Sequence, residues 1–472
     1  MRAGIDTRRG AVRTRFAPSP TGLLHVGSVR TALFNYLFAR AHGGKLVLRI
    51  EDTDVERSSA AFEKAAIEDL EWLGLRWDEG PDNGDSGPYR QSERLDIYRR
   101  YADGLVQRGL AYRCWCTKER LEGLKRYQVS KGLPPRYDNR CRHIEAQDAP
   151  EGVAPVIRFK VPERVVRFAD AVHGPLSFDS RVIGDFVIIG SDTIASYNFA
   201  VVVDDALMSI THIIRGDDHI SNTPRQALLF EALGFAPPFY AHIPLVLSAD
   251  RTPLGKRHES ASIRSLRGEG FLPEAVLNTV ARLGWQPAPG LLCLDEMASS
   301  FSLDKLSRSP SVFDIESLRR FNRLSIEGAD PVRLIGLSGI GMEGADKERL
   351  REIVGLVRRN AATLNDMKRL LNPFTGEGMA VTEEARAILR EPYAKAVVRA
   401  ARAGVEGLDS IDEAAYDRVI KGVKEATGEK GRRLFMPIRC ALTGDTEGIE
   451  LVNVFRILGR ERAIERLKCF EE

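Results

Sequence analysis

Sixteen residues near the N-terminus constrain this chain more than any others: Arg13-Thr-Arg-Phe-Ala-Pro-Ser-Pro-Thr-Gly-Leu-Leu-His-Val-Gly-Ser28. An apolar strand over Val12 to Phe16 runs into Pro18, Pro20 and Gly22, where ladder pairing stops. A helix then opens at Gly27 and Ser28, so its unpaired N–H groups and the positive end of its dipole face any anion lying above the sheet. Strand, turn and helix start in this order make a nucleotide site. His25, just before the helix, is placed to donate to a phosphate oxygen as charge builds on it. A His-x-Gly pattern alone is a weak signal, since a histidine at a helix entry also serves as a plain structural residue.

The rest of the chain sets the architecture. Residues 12 to about 110 alternate strands with helical stretches at Thr31 to Ala41 and Ala60 to Leu73, the pattern of a parallel sheet with right-handed crossovers. From about 111 to 195 the chain is rich in Pro, Gly and Arg, with short runs such as Val156-Ile-Arg-Phe-Lys-Val161, and reads as a mixed insertion. Val201-Val-Val203 and Ile210 to Ile214 read as buried strands returning to the sheet. Beyond about residue 320 the pattern is helical: Leu350, Ile353, Val354, Val357, Ala361, Leu364, Met367, Leu370 and Leu371 recur at spacings of three and four. A chain of 472 residues is too long for one core and predicts two to four domains.

The opening stretch, with Leu46-Val-Leu-Arg-Ile-Glu-Asp-Thr-Asp54, closely resembles the signature of bacterial glutamyl-tRNA synthetases, which are class I enzymes. The resemblance continues through Tyr89 to Tyr98, Tyr197 to Asp205, Ile214-Arg-Gly-Asp-Asp-His219 and Ser221-Asn-Thr-Pro224, and weakens after about residue 300. Pro18-Ser-Pro-Thr21 and Ile50-Glu-Asp-Thr53 stand where the glutamine-using relative carries Pro-Glu-Pro-Asn and Phe-Asp-Asp-Thr, so the chain is of the glutamate type.

The resemblance implies an α/β, Rossmann-type nucleotide-binding catalytic domain split by an insertion that holds the tRNA acceptor end, followed by an all-α anticodon-binding domain. Its bounds are a first catalytic half over 11–110, the insertion over 111–195, a second half over 196–250, a lysine-loop and stem-contact region over 251–325, and the helical domain over 326–472. The implied activity is ATP- and Mg²⁺-dependent formation of glutamyl-adenylate from L-glutamate, then transfer to the terminal adenosine of tRNA(Glu). Whether tRNA(Gln) is charged too stays open. A catalytically impaired paralogue that binds tRNA without efficient charging is the alternative, and a monomer suits the family.

A γ-carboxylate must be desolvated to be recognised, and a fixed guanidinium with paired donors offsets that cost without titrating away. Arg15 and Arg215 are the candidates. By resemblance, Arg15 and Ser19 contact the carboxylates, Glu51 the α-ammonium, and Tyr197 and Arg215 complete the glutamate site. ATP is assigned to Pro18, Thr21, Gly22, His25, Gly27, Ser28, Lys256 and Arg257, with His25 and Lys256 catalytic. The family's Lys-Leu-Ser-Lys-Arg loop is altered here: Pro253 replaces the first lysine and Gly255 the serine, and Arg251 lies close enough in sequence to supply the lost charge.

Cys114-x-Cys116 and Cys141-x-His143 form two close pairs of soft or borderline ligands, which predicts one structural Zn²⁺ per chain with no open position. Six cysteines spread over this length do not form a disulfide framework. The net charge of +3 leaves any grip on RNA to local clusters, among them Lys430, Arg432, Arg433 and Arg439. No run of eighteen apolar residues and no apolar secretory core occurs, which predicts a cytoplasmic protein without membrane contact.

Overall fold

A computed structural model describes residues 11–54, 56–144, 152–255, 259–339, 347–375 and 379–471. The chain divides into two units, Met1–Leu266 with Leu277–Asp314, and Arg267–Val276 with Ile315–Glu472.

In the first unit, β1 (Arg13–Phe16) leads into α1 (Val26–Ala41) and β2 (Lys45–Leu48). The two strands pair in parallel with Arg15 opposite Val47, as the crossover pattern requires. Helices α2 (Ala60–Trp72) and α3 (Leu95–Gln107) follow, then β3 (Ala111–Cys114), α4 (Lys118–Ser130), β4 (Val156–Phe159), the hairpin of β5 (Val165–Asp170) and β6 (Gly174–Asp179), and β7 (Phe186–Ile189). The chain goes on through α5 (Tyr197–Leu207), β8 (His212–Gly216), α6 (Thr223–Leu233) and β9 (Phe239–Ile243). Strands β3, β4 and β7 form an antiparallel sheet of their own. The hairpin instead joins the nucleotide sheet in the order β6-β5-β9-β8, with β5 and β8 both parallel to β9. Strand β8 runs beside β1, where the Thr211 N–H donates to the Arg13 carbonyl at 2.9 Å and the Arg13 N–H to Thr211 Oγ1 at 2.8 Å. Part of the segment read as an insertion is thereby an extension of the sheet that carries Arg215.

Helix α1 buries nearly its whole length, and Asn35 inside it ties strand to helix by donating to the Ile214 carbonyl at 2.9 Å. The valines Val201 to Val203 are not a strand: they lie in α5, fully buried. A short apolar run has no periodicity that separates a buried strand from a buried helix. Tertiary packing decided in favour of the helix, which brings Asp204 and Asp205 into the core.

The second unit is built of helices, including Ile315–Gly328, Lys347–Val357, Leu364–Thr375, Pro392–Glu406, Glu413–Thr427, Arg432–Thr443 and Leu451–Lys468. All nine apolar residues picked out between Leu350 and Leu371 are buried, but eight of them lie on two helices separated by a 3₁₀ turn at Arg358–Asn360, and Ala361 follows that turn. The break is a capping box: Thr363 Oγ1 accepts from the Asp366 N–H while Asp366 Oδ2 accepts from the Thr363 N–H, both at 3.0 Å.

Candidate active site

The loop between β1 and α1 and the ends of β2 and β8 enclose a cavity of about 580 Å³ in the first unit. Arg15, Pro18, Ser19, Gly22, His25, Gly27, Ser28, Glu51, Tyr197 and Arg215 all line it. Thr21 is on the same loop but not among the lining residues, its N–H bonded to the Ser19 carbonyl at 2.8 Å. Open α/β sheets place ligands at the carboxyl ends of their strands, which is where β1 and β8 deliver Arg15 and Arg215. Lys256 and Arg257 lie outside the described residues, although Pro253, Leu254 and Gly255 just before them reach the cavity wall.

At the nucleotide end, His25 is itself the N-cap of α1. Its Nδ1 accepts from the Gly27 N–H at 3.1 Å, so the neutral ring carries its proton on Nε2, which lies 3.0 Å from Ser28 Oγ. A Cβ on Gly27 would stand 3.0 Å from the His25 ring, so glycine is what lets the imidazole fold back over the helix start. The ring thereby takes the Gly27 N–H, and His25, Gly27 and Ser28 at this helix start line the cavity.

The amino-acid end is a buried charge cluster. Asp205 accepts from Arg49 Nη1 at 2.6 Å and Arg15 Nε at 3.3 Å, and Arg49 also reaches Glu51 at 3.2 Å. Burial opposes ionisation of Asp205, but Arg49 and Arg15 hold its carboxyl below the usual range. For Glu51 burial prevails over both guanidiniums and pushes the carboxyl up. Asp204 belongs to the same cluster, 3.8 Å from Arg49 Nε, and accepts from Arg94 Nε at 2.7 Å, Gln91 at 2.8 Å and the Tyr98 hydroxyl at 2.9 Å.

Arg215 is 4% exposed and, among the described residues, touches no carboxylate: Nε donates to His242 Nε2 at 3.2 Å, Nη2 to Thr223 Oγ1 at 2.8 Å, and Nη1 finds no acceptor among them. Four guanidiniums (Arg15, Arg49, Arg94, Arg215) and three carboxylates (Glu51, Asp204, Asp205) make up this cluster, leaving one positive charge in surplus. A ligand with two carboxylates and one ammonium brings the compensating negative charge. Tyr197 shares a 3.0 Å hydrogen bond with His219 Nδ1, whose imidazole is pushed down to about 4 by burial and then by Arg215, and so is neutral at pH 7.

Sequence reasoning did not single out Arg49, Asp205, His219 or His242. Arg49 had a signal, since it stands two residues before Glu51 and the strand period turns both to one face. Asp205 had another, a carboxylate closing an apolar run.

In the antiparallel sheet's region, the sulfurs of Cys114, Cys116 and Cys141 lie within 4.8 Å of one another. Arg158 Nε is 3.2 Å from Cys114 Sγ and Arg120 Nη1 is 3.4 Å from Cys116 Sγ, and the Tyr137 hydroxyl stands 3.4 Å from both sulfurs. Three convergent thiols suit zinc. His143 is exposed and not part of the cluster. It shares the 3₁₀ turn Arg140–His143 with Cys141, and at about 120° per residue two positions on it cannot point the same way.

Sheet, helix-capped anion site and guanidinium-rich pocket together define a class I aminoacyl-tRNA synthetase. Residues 11–320 match the family described as tRNA synthetases class I (E and Q), catalytic domain, and residues 320–470 match an anticodon binding domain. Glutamate–tRNA ligase 1 of Caldicellulosiruptor saccharolyticus is 43% identical over 98% of this chain and 99% of its own length. The glutamate–tRNA ligase of Heliobacterium modesticaldum is 44% identical over 97% and 96%. A crystal structure of the glutamate tRNA ligase from Elizabethkingia meningosepticum in complex with its amino acid superposes with a TM-score of 0.83 at 31% identity, covering 98% of this chain and 99% of that one. The chain belongs to the glutamyl-tRNA synthetases. Among the described residues no helix is long and apolar enough to cross a membrane.

Proposed function

We infer that the chain binds L-glutamate at Arg15, Ser19, Glu51, Tyr197 and Arg215 and ATP along Pro18, Thr21, Gly22, His25, Gly27 and Ser28, with Lys256 and Arg257 completing the ATP site, and ligates glutamate to tRNA(Glu) in two steps. The observation that carries the amino-acid assignment is the buried Arg215 with its unpartnered Nη1. A carboxylate oxygen of the substrate gives it the acceptor it lacks, in a pocket whose charge surplus matches glutamate. Glutamine brings no such charge and would leave the surplus unmatched.

In the first step an α-carboxylate oxygen of glutamate forms a bond to the α-phosphorus of ATP and pyrophosphate leaves. In the second, the ribose hydroxyl of the terminal adenosine attacks the mixed anhydride and AMP leaves. The side chains align reactants and oppose growing negative charge. His25 Nε2–H turns from Ser28 Oγ to an α-phosphate oxygen, and the α1 N–H groups face the same oxygens. Mg²⁺, carried on the triphosphate, lowers its net charge. Lys256 meets the leaving pyrophosphate, with Arg251 supplying charge in place of the lysine that Pro253 displaces.

Cys114, Cys116 and Cys141 would hold one Zn²⁺, which would serve a structural role in the insertion. Transfer of labelled glutamate onto purified tRNA(Glu) and tRNA(Gln), each with ATP and Mg²⁺, tests the function. Charging of tRNA(Glu) is expected; the tRNA(Gln) arm reports the range, and tight binding without charging of either would refute the reading.

A further inference from the structure

Arg215 is held by neutral groups, and the way this is done implicates two residues outside the cavity wall. His242 is fully buried on β9, one strand over from Arg215, in register with it. Its Nδ1 is 2.6 Å from Asp170 Oδ2. The other Asp170 contacts are all backbone N–H groups: His242 to Oδ2 at 3.0 Å, Val172 and His173 to Oδ1 at 2.9 and 2.8 Å. A carboxylate so surrounded by donors can only accept, so the imidazole proton sits on Nδ1 and Nε2 presents its lone pair to Arg215 Nε at 3.2 Å, with the Thr223 hydroxyl 3.0 Å from the same nitrogen. Burial works against Asp170, yet the bonds from His242 and the His173 backbone keep its carboxyl below the usual range. Burial lowers His242 as well, keeping the ring neutral.

Accepting the glutamate assignment above, we propose that Asp170 and His242 are positioning residues that orient Arg215 while withholding a carboxylate from it, so that the substrate's own carboxylate is the first anion the guanidinium meets. The imidazole acts as a spacer. Were Asp170 to touch Arg215 directly, the two charges would close a buried salt bridge and the substrate would have to compete for it. Through the ring, Asp170 sets which nitrogen accepts, and the ring sets where Nε and therefore Nη1 points. Thr223 fixes the second nitrogen.

Three variants in the full chain test this, with charging of tRNA(Glu) followed over a range of glutamate and, separately, of ATP. His242→Phe keeps a ring but removes the acceptor, and Asp170→Asn offers Nδ1 a donor that favours the wrong tautomer. Each should raise the KM for glutamate on the order of tenfold, with kcat and the KM for ATP within about threefold. His242→Gln, whose amide oxygen reaches the Nε2 position, should recover most of the loss. Arg215→Ala is the benchmark for the underlying assignment. If it raises the glutamate KM and the other variants do not, the positioning role fails while the site stands. If it leaves the glutamate KM unchanged, the glutamate assignment fails and the inference with it. Equal damage to both KM values, or no recovery in His242→Gln, means general disruption of β9 and also overturns the proposal.

Discussion

Replacing Asp205 with Asn should destabilise the first unit far more than an isosteric change of one atom suggests. Asp205 is fully buried, 2.6 Å from Arg49 and 3.3 Å from Arg15, and neutralising it removes the carboxylate that Arg15 bonds and leaves buried Arg49 with only Glu51 at 3.2 Å and Asp204 at 3.8 Å. Breaking a buried ion pair by removing one partner costs about 3–5 kcal/mol, because the remaining charge stays desolvated. At 2–4 °C per kcal/mol for a large domain, the melting temperature should fall by about 10 °C. Tryptophan fluorescence, excited selectively, reads this unit alone, since Trp72, Trp77, Trp115 and Trp285 all belong to it. A double-mutant cycle with Arg49→Met should return a coupling energy of about 2 kcal/mol. Melting within about 2 °C of the parent, or no coupling, would refute the view that these charges depend on one another.

Other outcomes follow from the same geometry. Gly27→Ala forces a methyl against the His25 ring at 3.0 Å and should raise the KM for ATP or lower kcat by about tenfold in steady-state charging, with the glutamate KM little changed. Burial pushes the imidazole of His212, stacked on Phe239 and tilted against Phe38, down to about 4. Its folded pKa lies below the unfolded value of about 6.5, so the unfolded state binds the extra proton between those values and stability falls as pH drops through that window, by about 3 kcal/mol at most. Urea titrations at pH 7 and pH 4.5 should show the drop, and it should be smaller in His212→Phe. Elemental analysis should find one zinc per chain, lost in Cys116→Ser and retained in His143→Ala; zinc lost from the histidine variant would restore His143 as a ligand. Arg251→Ala should slow pyrophosphate exchange, and an unaltered rate would remove its compensating role.

Most of the site's lining was legible before any coordinates, because it sits in contiguous motifs. The β1 to α1 stretch supplies Arg15 through Ser28, and proline, glycine and helix-start chemistry are local properties that composition and order reveal. Glu51, Tyr197 and Arg215 were legible through the resemblance. The cysteine cluster was three-quarters readable: Cys114, Cys116 and Cys141 converge, while the place of His143 depended on a 3₁₀ turn that residue types alone do not specify. The sequence alone determined what is local in the chain, such as the strand, turn and helix start around His25 and the helical periodicity that buries Leu350 to Leu371. Tertiary structure decided what depends on distance between remote segments. It made Val201–Val203 a helix, it carried the β5–β6 hairpin into the sheet, and it joined Asp170, His242 and Arg215, which lie 72 and 27 residues apart in turn. Ionic and hydrogen-bond partnerships between such residues leave no periodic trace in the chain, because they are set by which strands lie side by side.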